Sequence, residues 1–203
     1  MKIFISKSHK FIEHYPRKYI GRLFTPDVCA RPHETTESDM EYGIDNGCFV
    51  GFKEEKFLRL LNKIENKDNC KFVAAPDVVA DYQATLDNFN IWSCVISNMN
   101  FPLAIVLQDG ATIKNTPWQD IQAVFVGGST DWKLGEEARQ LIHYAKNNNL
   151  WVHVGRVNSI KRLRYCRQNN VDSVDGLAFA KYNKTYVDKA IRFLQTPLEN
   201  KLF

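Results

Sequence analysis

A chain of 203 residues, 44% hydrophobic and 25% charged, is long enough for one sizeable core and short for two, so a single domain over 1–203 is expected. Its net charge of +4 is compatible with a nucleic-acid partner without demanding one. Cys29, Cys48, Cys70, Cys94 and Cys166 lack C-x-x-C spacing and read as reduced thiols, not disulfides or a zinc set. The start, Met1 to Ser6, is too short for the apolar part of a signal peptide, and no apolar stretch reaches membrane-spanning length. A soluble, cytoplasmic protein is the expectation.

In chain order, residues 2–6 alternate and read as a first strand. Ser8 to Arg22 mixes aromatic and basic residues without clean periodicity and is helix or loop. Residues 21–30 could supply another strand ahead of a polar loop, Arg31 to Glu41. From Tyr42 onward strands at 42–45, 71–75, 103–107, 123–126, 150–154 and 173–175 alternate with helices at 54–66, 81–97, 135–148, 159–169 and about 185–195, with a Pro117-Trp118 loop between. Phe57, Leu60, Leu61 and Ile64 recur at the spacing of one buried helix face, as do Ala138, Leu141, Ile142 and Ala145. Asp81 and Ser159 stand where N-caps belong, and Asn147-Asn148-Asn149 is a natural helix stop. No repeat, low-complexity tract or linker interrupts the pattern. Strand–helix alternation predicts an α/β parallel sheet. Seven of these segments count as strands and the eighth, at 21–30, is not obvious. A complete (β/α)8 barrel takes about 250 residues, so a barrel here would be a trimmed one.

The apolar runs share an ending. Gly43-Ile44-Asp45-Asn46-Gly47, Ala75-Pro76-Asp77, Val106-Leu107-Gln108-Asp109-Gly110, Val126-Gly127-Gly128, Val154-Gly155-Arg156 and Val174-Asp175-Gly176 each close on a carboxylate, an amide or glycine. In parallel α/β folds such groups converge at the carboxyl ends of the strands, where ligands bind. One Asp at a strand–helix junction is more often a cap than a catalyst. Repetition at Asp45, Asp77 and Asp175, two of them beside glycine, points to a site that holds a flat polar ring. Two carboxylates facing one centre can divide nucleophile from proton carrier, and at a sugar C1′ they stabilise an oxocarbenium-like transition state. A third acid and an amide can read a purine-like edge, and Gly127-Gly128 can offer backbone N–H groups to a ring carbonyl. His153, inside a strand, reads as a core or supporting histidine in preference to a proton shuttle, and His143 as a surface one. Of the four tryptophans, Trp132 beside Lys133 is the one expected to touch ligand. The basic stretch Ser159 to Tyr165, with Arg156 and Arg167, is either a solvated helix face or a phosphate contact surface.

Taken together and in order, Gly43 to Phe49, Ala75 to Val79, Val106 to Gly110, Phe125 to Lys133, Val152 to Ser159 and Val171 to Gly176 resemble the tRNA-guanine transglycosylase superfamily over roughly residues 40–182. The resemblance is strongest to its short phage and bacterial branch, the DpdA-type DNA-guanine transglycosylases. It implies a (β/α)8 barrel in which Asp175 is the covalent nucleophile and Asp45 the acid/base aspartate. Asp77 and Gln108 would hydrogen-bond the base, Gly127 and Gly128 would form the backbone-donor loop, and Gly155 would belong to the same base site. Arg156, Lys133, Arg162 and Arg164 are the expected nucleic-acid contacts. The implied partners are DNA, with tRNA as the alternative, and a 7-deazaguanine such as 7-cyano-7-deazaguanine. The tRNA enzymes carry a zinc site of three cysteines and a histidine. Nothing after Cys166 could build one, so neither metal nor other cofactor is expected. The alternatives are N-glycoside hydrolysis on the same rim, a non-catalytic nucleic-acid-binding subunit, or an unrelated aldolase-type or phosphate-binding barrel. The last would want a Schiff-base lysine or a glycine loop at a helix start, and neither stands out.

Overall fold

A computed structural model describes residues 1–7, 9–27, 39–181 and 183–197, and in it eight parallel strands follow one another in chain order and close on themselves. They are β1 (Lys2–Ile5), β2 (Ile20–Phe24), β3 (Tyr42–Ile44), β4 (Cys70–Ala74), β5 (Leu103–Leu107), β6 (Ala123–Val126), β7 (Trp151–Val154) and β8 (Ser173–Val174). Closure rests on β1: Ile3 pairs with Ile20 of β2 on one side and with Val174 of β8 on the other. This is a (β/α)8 barrel, and the count of eight is completed by β2, which begins at Ile20. The strand stops at Phe24, short of the expected 30, because Thr25 to Asp27 already leave it for a turn; residues 28–30, Cys29 among them, and the loop at 31–38 lie outside the described residues.

The helices are α1 (His9–Ile12), α2 (Glu54–Asn62), α3 (Tyr82–Asn98), α4 (Thr130–Lys133), α5 (Glu136–Asn147), α6 (Ile160–Gln168), α7 (Leu177–Lys181) and α8 (Asn183–Gln195). The carboxylate of Asp81 accepts the Ala84 N–H at 3.0 Å, and the Ser159 hydroxyl accepts the Arg162 N–H at 3.2 Å, so both expected caps form. Three of the longer helices stop by one device. Asn100 after α3, Asn149 after α5 and Asn170 after α6 have φ of 57°, 58° and 54°, a left-handed turn that asparagine tolerates as a single residue. Helix α2 ends at Asn62, short of the expected 66, yet Ile64 is still buried from the turn that follows. No helix among the described residues is long and apolar enough to cross a membrane.

Alternation along each strand builds two apolar layers. Ile3, Ile105, Val124 and Val152 face outward and pack under Leu60, Leu141, Ile142 and the other helix residues. Phe4, Leu23, Phe72, Ala74, Ala104, Val106, Ala123 and Phe125 face inward and fill the barrel. The interior is economical because rings occupy space that glycines leave: a Cβ on Gly43 would stand 2.4 Å from the Phe72 ring, and one on Gly21 2.4 Å from the Phe4 ring. Gly43→Ala is therefore expected to lower the urea midpoint, by an equivalent of about 1–3 kcal/mol for overpacking. An unchanged midpoint would mean that the interior has slack.

The same period of two sets the upper layer. Two positions beyond an inward residue at the barrel's core stand Ser6 after Phe4, Thr25 after Leu23, Asp45 after Gly43, Gln108 after Val106 and Gly127 after Phe125. Gly155 and Asp175 follow His153 and Ser173 in the same way.

Candidate active site

At the carboxyl ends of the strands lies a cavity of about 510 Å³ whose floor is apolar (Phe4, Leu23, Ala74, Val106, Phe125) and whose walls carry Asp45, Asn46, Asp77, Gln108, Arg156 and Asp175. Exposed apolar side chains, Phe49 at 63%, Val50, Val79 and Leu177, stand around its mouth. The Arg156 guanidinium lies 4.8 Å from the centre of the Phe49 ring, a cation–π contact at the rim.

Asp175 follows β8, and its main chain is clamped there by the Val157 N–H at 2.6 Å. Its Oδ1 accepts the Arg156 backbone N–H at 3.1 Å and lies 3.2 Å from His153 Nε2. Its Oδ2 has no hydrogen bond from the described residues, and 19% of the side chain is exposed in the cavity. Arg156 reaches Asp175 only by adopting φ 60°, a left-handed conformation that is strained for an arginine. The arginine side chain also donates to the Gly128 carbonyl. Space for this arrangement depends on Gly155, where a Cβ would stand 2.7 Å from Phe125 and 3.3 Å from Asp175 Oδ1.

Asp45 sits across the cavity at the end of β3. Its Oδ1 accepts the Gly47 N–H at 2.6 Å in a tight turn that Gly47 completes with φ 79°. Burial raises its pKa, the Gly47 N–H opposes the rise, and the negative charges of Asp175 and Asp77 add to it; the result is about 7. The neighbouring Asn46 donates from Nδ2 to the Ala75 carbonyl at 2.7 Å and to Asp77 Oδ1 at 2.8 Å. Gln108 donates from Nε2 to Asp77 Oδ2 at 2.5 Å. Asp77 is thus gripped by two amides, one on each oxygen. Burial nevertheless raises its pKa against the lowering by Asn46 and Gln108.

Several expected roles change once neighbours are known. The Gly127 N–H bonds to the Leu107 carbonyl at 2.9 Å within the barrel, and the Gly128 N–H bonds to Gln108 Oε1 at 2.7 Å. Both donors of the glycine pair are therefore engaged inside the protein. The Gln108 carbonyl oxygen is occupied as well, since it also accepts the Ala80 N–H at 2.9 Å. Lys133 is not a nucleic-acid contact: it is 1% exposed, and its Nζ donates to the Gly155 carbonyl at 2.9 Å. Burial, helped by Arg156, pushes its pKa down to about 8. Trp132 covers Gly128, donates from Nε1 to Glu137 at 3.0 Å and does not line the cavity. Arg164 stacks on Phe193 of α8, and Arg167 donates to the carbonyls of Phe193 and Thr196, so this part of the basic stretch fastens the last helix. Arg162 supports the rim from behind by donating to the Arg156 carbonyl at 3.2 Å. Of the four expected basic contacts, Arg156 is the one that lines the cavity.

Asn46, beside Asp45, is a cavity residue to which the strand-end pattern assigns no role. Its signal is the Asp-Asn-Gly run, in which Asn46 Oδ1 accepts the Cys48 N–H and so orients the side-chain amide with Nδ2 toward Asp77. Among the described residues no group of three His, Cys, Asp or Glu side chains is disposed to hold a metal ion. The arrangement offers a carboxyl oxygen without a hydrogen-bond partner among the described residues, a second carboxyl group whose pKa burial raises to about 7, and a third held rigidly at one wall. No protein-family model and no curated protein matches this chain.

Proposed function

We propose that this protein is a base-exchanging transglycosylase that replaces guanine in DNA with a 7-deazaguanine. The reading rests on one observation: Asp45 and Asp175 line the same cavity in environments that separate their behaviour. A non-catalytic role would be favoured by acids at opposite ends of the barrel, which is not their arrangement. DNA is the polymer that the family resemblance implies.

In this reaction Oδ2 of Asp175 forms a bond to C1′ of an extruded deoxyguanosine while the C1′–N9 bond breaks. The bonding pair passes to the guanine, which takes a proton from Asp45. The incoming deazaguanine returns a proton to Asp45 from N9, attacks C1′ and releases the Asp175 carboxylate. Two inversions leave the configuration unchanged, protons balance over the cycle, and no nucleotide energy source is consumed. Asp77 retains lone pairs for N–H groups of the base, and the second Nε2–H of Gln108 is left to meet a ring carbonyl. Extrusion costs a few kcal/mol, offset by the pocket and by stacking of neighbouring bases on the apolar mouth around Phe49.

The test is incorporation of radiolabelled guanine into duplex DNA and into tRNA, run side by side. Label in DNA with release of unlabelled guanine is the expected result. Label in tRNA alone would reassign the polymer. Free guanine released without any label incorporated would identify a hydrolase.

A further inference from the structure

A line of polar groups runs through the barrel beneath Asp175, and every member but one is buried. Trp151 Nε1 lies 2.8 Å from Ser173 Oγ, Ser173 Oγ lies 2.8 Å from His153 Nδ1, and His153 Nε2 lies 3.2 Å from Asp175 Oδ1. Ser173 and His153 are both 0% exposed, while Trp151 is half-buried. The direction of each bond follows from chemistry. An indole N–H can only donate, so Ser173 Oγ accepts from Trp151. Among the described residues the remaining neighbour of the serine hydroxyl is His153 Nδ1, so the buried hydroxyl proton finds an acceptor only if Nδ1 accepts it. A ring accepting at Nδ1 and neutral overall carries its proton on Nε2, where it donates to Asp175.

The surroundings favour that neutral form. The His153 ring is boxed by Phe72 at 4.7 Å, Phe125 at 4.6 Å and Phe4 at 5.8 Å between centroids, and removal from water disfavours the imidazolium. A neutral donor orients a carboxylate without cancelling its charge. Because the ring and the Arg156 N–H both engage Oδ1, Oδ2 is left as the oxygen without a partner among the described residues.

We propose that His153 is a positioning residue: the Trp151–Ser173–His153 chain locks its Nε2–H tautomer and so presents Oδ2 of Asp175 to the substrate as a free anion. The kinetic part of this inference rests on the transglycosylase reading, whereas the tautomer does not.

The tautomer is read from long-range 1H–15N correlations of imidazole-labelled protein at pH 7, with His153→Phe identifying the resonance. A neutral ring protonated on Nε2 is expected, and Ser173→Ala should turn it into a mixture of tautomers. A charged ring, a ring protonated on Nδ1, or a tautomer unmoved by Ser173→Ala would overturn the proposal. The kinetic arm compares two variants. His153→Phe keeps an aromatic in the box and is expected to lower kcat for base exchange by about 10- to 100-fold, the cost of one hydrogen bond to a charged group, with KM for the free base within about twofold of wild type. His153→Gln restores an N–H near the Nε2 position and should recover most of the loss. Equal losses in the two variants, or a change in KM with kcat intact, would overturn the positioning role. Absence of exchange in the unmodified protein on any nucleic acid would end the transglycosylase reading instead, and the spectrum would still decide the tautomer.

Discussion

Asp175→Asn should fold normally and form no covalent adduct with DNA, with base exchange lowered by about 10⁴-fold or more. The substitution is nearly isosteric, and the amide oxygen can still accept from the Arg156 N–H and from His153, the two contacts that hold Oδ1 now. What changes is the other position, where an amide nitrogen without an available lone pair replaces Oδ2. Denaturing electrophoresis of wild-type protein incubated with DNA should show the aspartyl-glycosyl species, and the variant should not. A thermal midpoint close to wild type would exclude unfolding as the cause. Exchange at near wild-type rate in this variant would remove Asp175 as the nucleophile.

Asp45→Asn is expected to have two opposite effects: loss of base release by about 10²- to 10⁴-fold and a gain in stability at alkaline pH. Burial, with Asp175 and Asp77 adding to it, raises the Asp45 pKa from an ordinary 3.8 to about 7. Between those two values the folded protein holds a proton that the unfolded chain has released. Stability therefore falls as pH rises through this window and stays lower above it. Asparagine keeps an oxygen for the Gly47 N–H and cannot ionise. The variant should match wild type near pH 4 and exceed it at pH 8, by about 1–4 kcal/mol in urea unfolding, the upper end corresponding to a fully retained shift. In wild type the first half-reaction needs the protonated acid, so single-turnover guanine release should decline as pH rises through about 7. A flat profile, or a variant less stable than wild type at pH 8, would show that Asp45 is already ionised at neutral pH.

Much of the barrel was legible because the physics involved is local. Helix α5 buries Ala138, Leu141, Ile142 and Ala145, the residues that its spacing predicts. Caps at Asp81 and Ser159 and the asparagine stops depend on side chains and backbone within a few residues of one another. Strand β2 was harder to recognise, because Gly21 and Arg22 interrupt its apolar run although the structure buries all five residues.

The acids of the site were visible for a related reason. Period-two alternation continues past each strand and puts Asp45, Gln108, Gly127, Gly155 and Asp175 on the inward face of the upper layer. Which of those groups are still free is another matter. The Gly128 N–H is spent on Gln108, twenty positions away, and Asp77 is gripped by amides thirty-one positions away. Lys133 was expected among the nucleic-acid contacts, but the path of α4 turns it inward to the Gly155 carbonyl. Arg164 was likewise committed to α8 by the packing of two distant helices.

For this protein, then, the order of residues alone determined the strand–helix alternation, the inward face of each strand and the set of acids carried to one rim. Those properties follow from steric and hydrophobic patterns repeated within a few positions. Only the closed barrel decided which donors are consumed, which carboxyl oxygen is left without a partner and which cations reach the cavity. Hydrogen-bond partners and burial belong to pairs of residues far apart in the chain, and closing the sheet is what brings those pairs together.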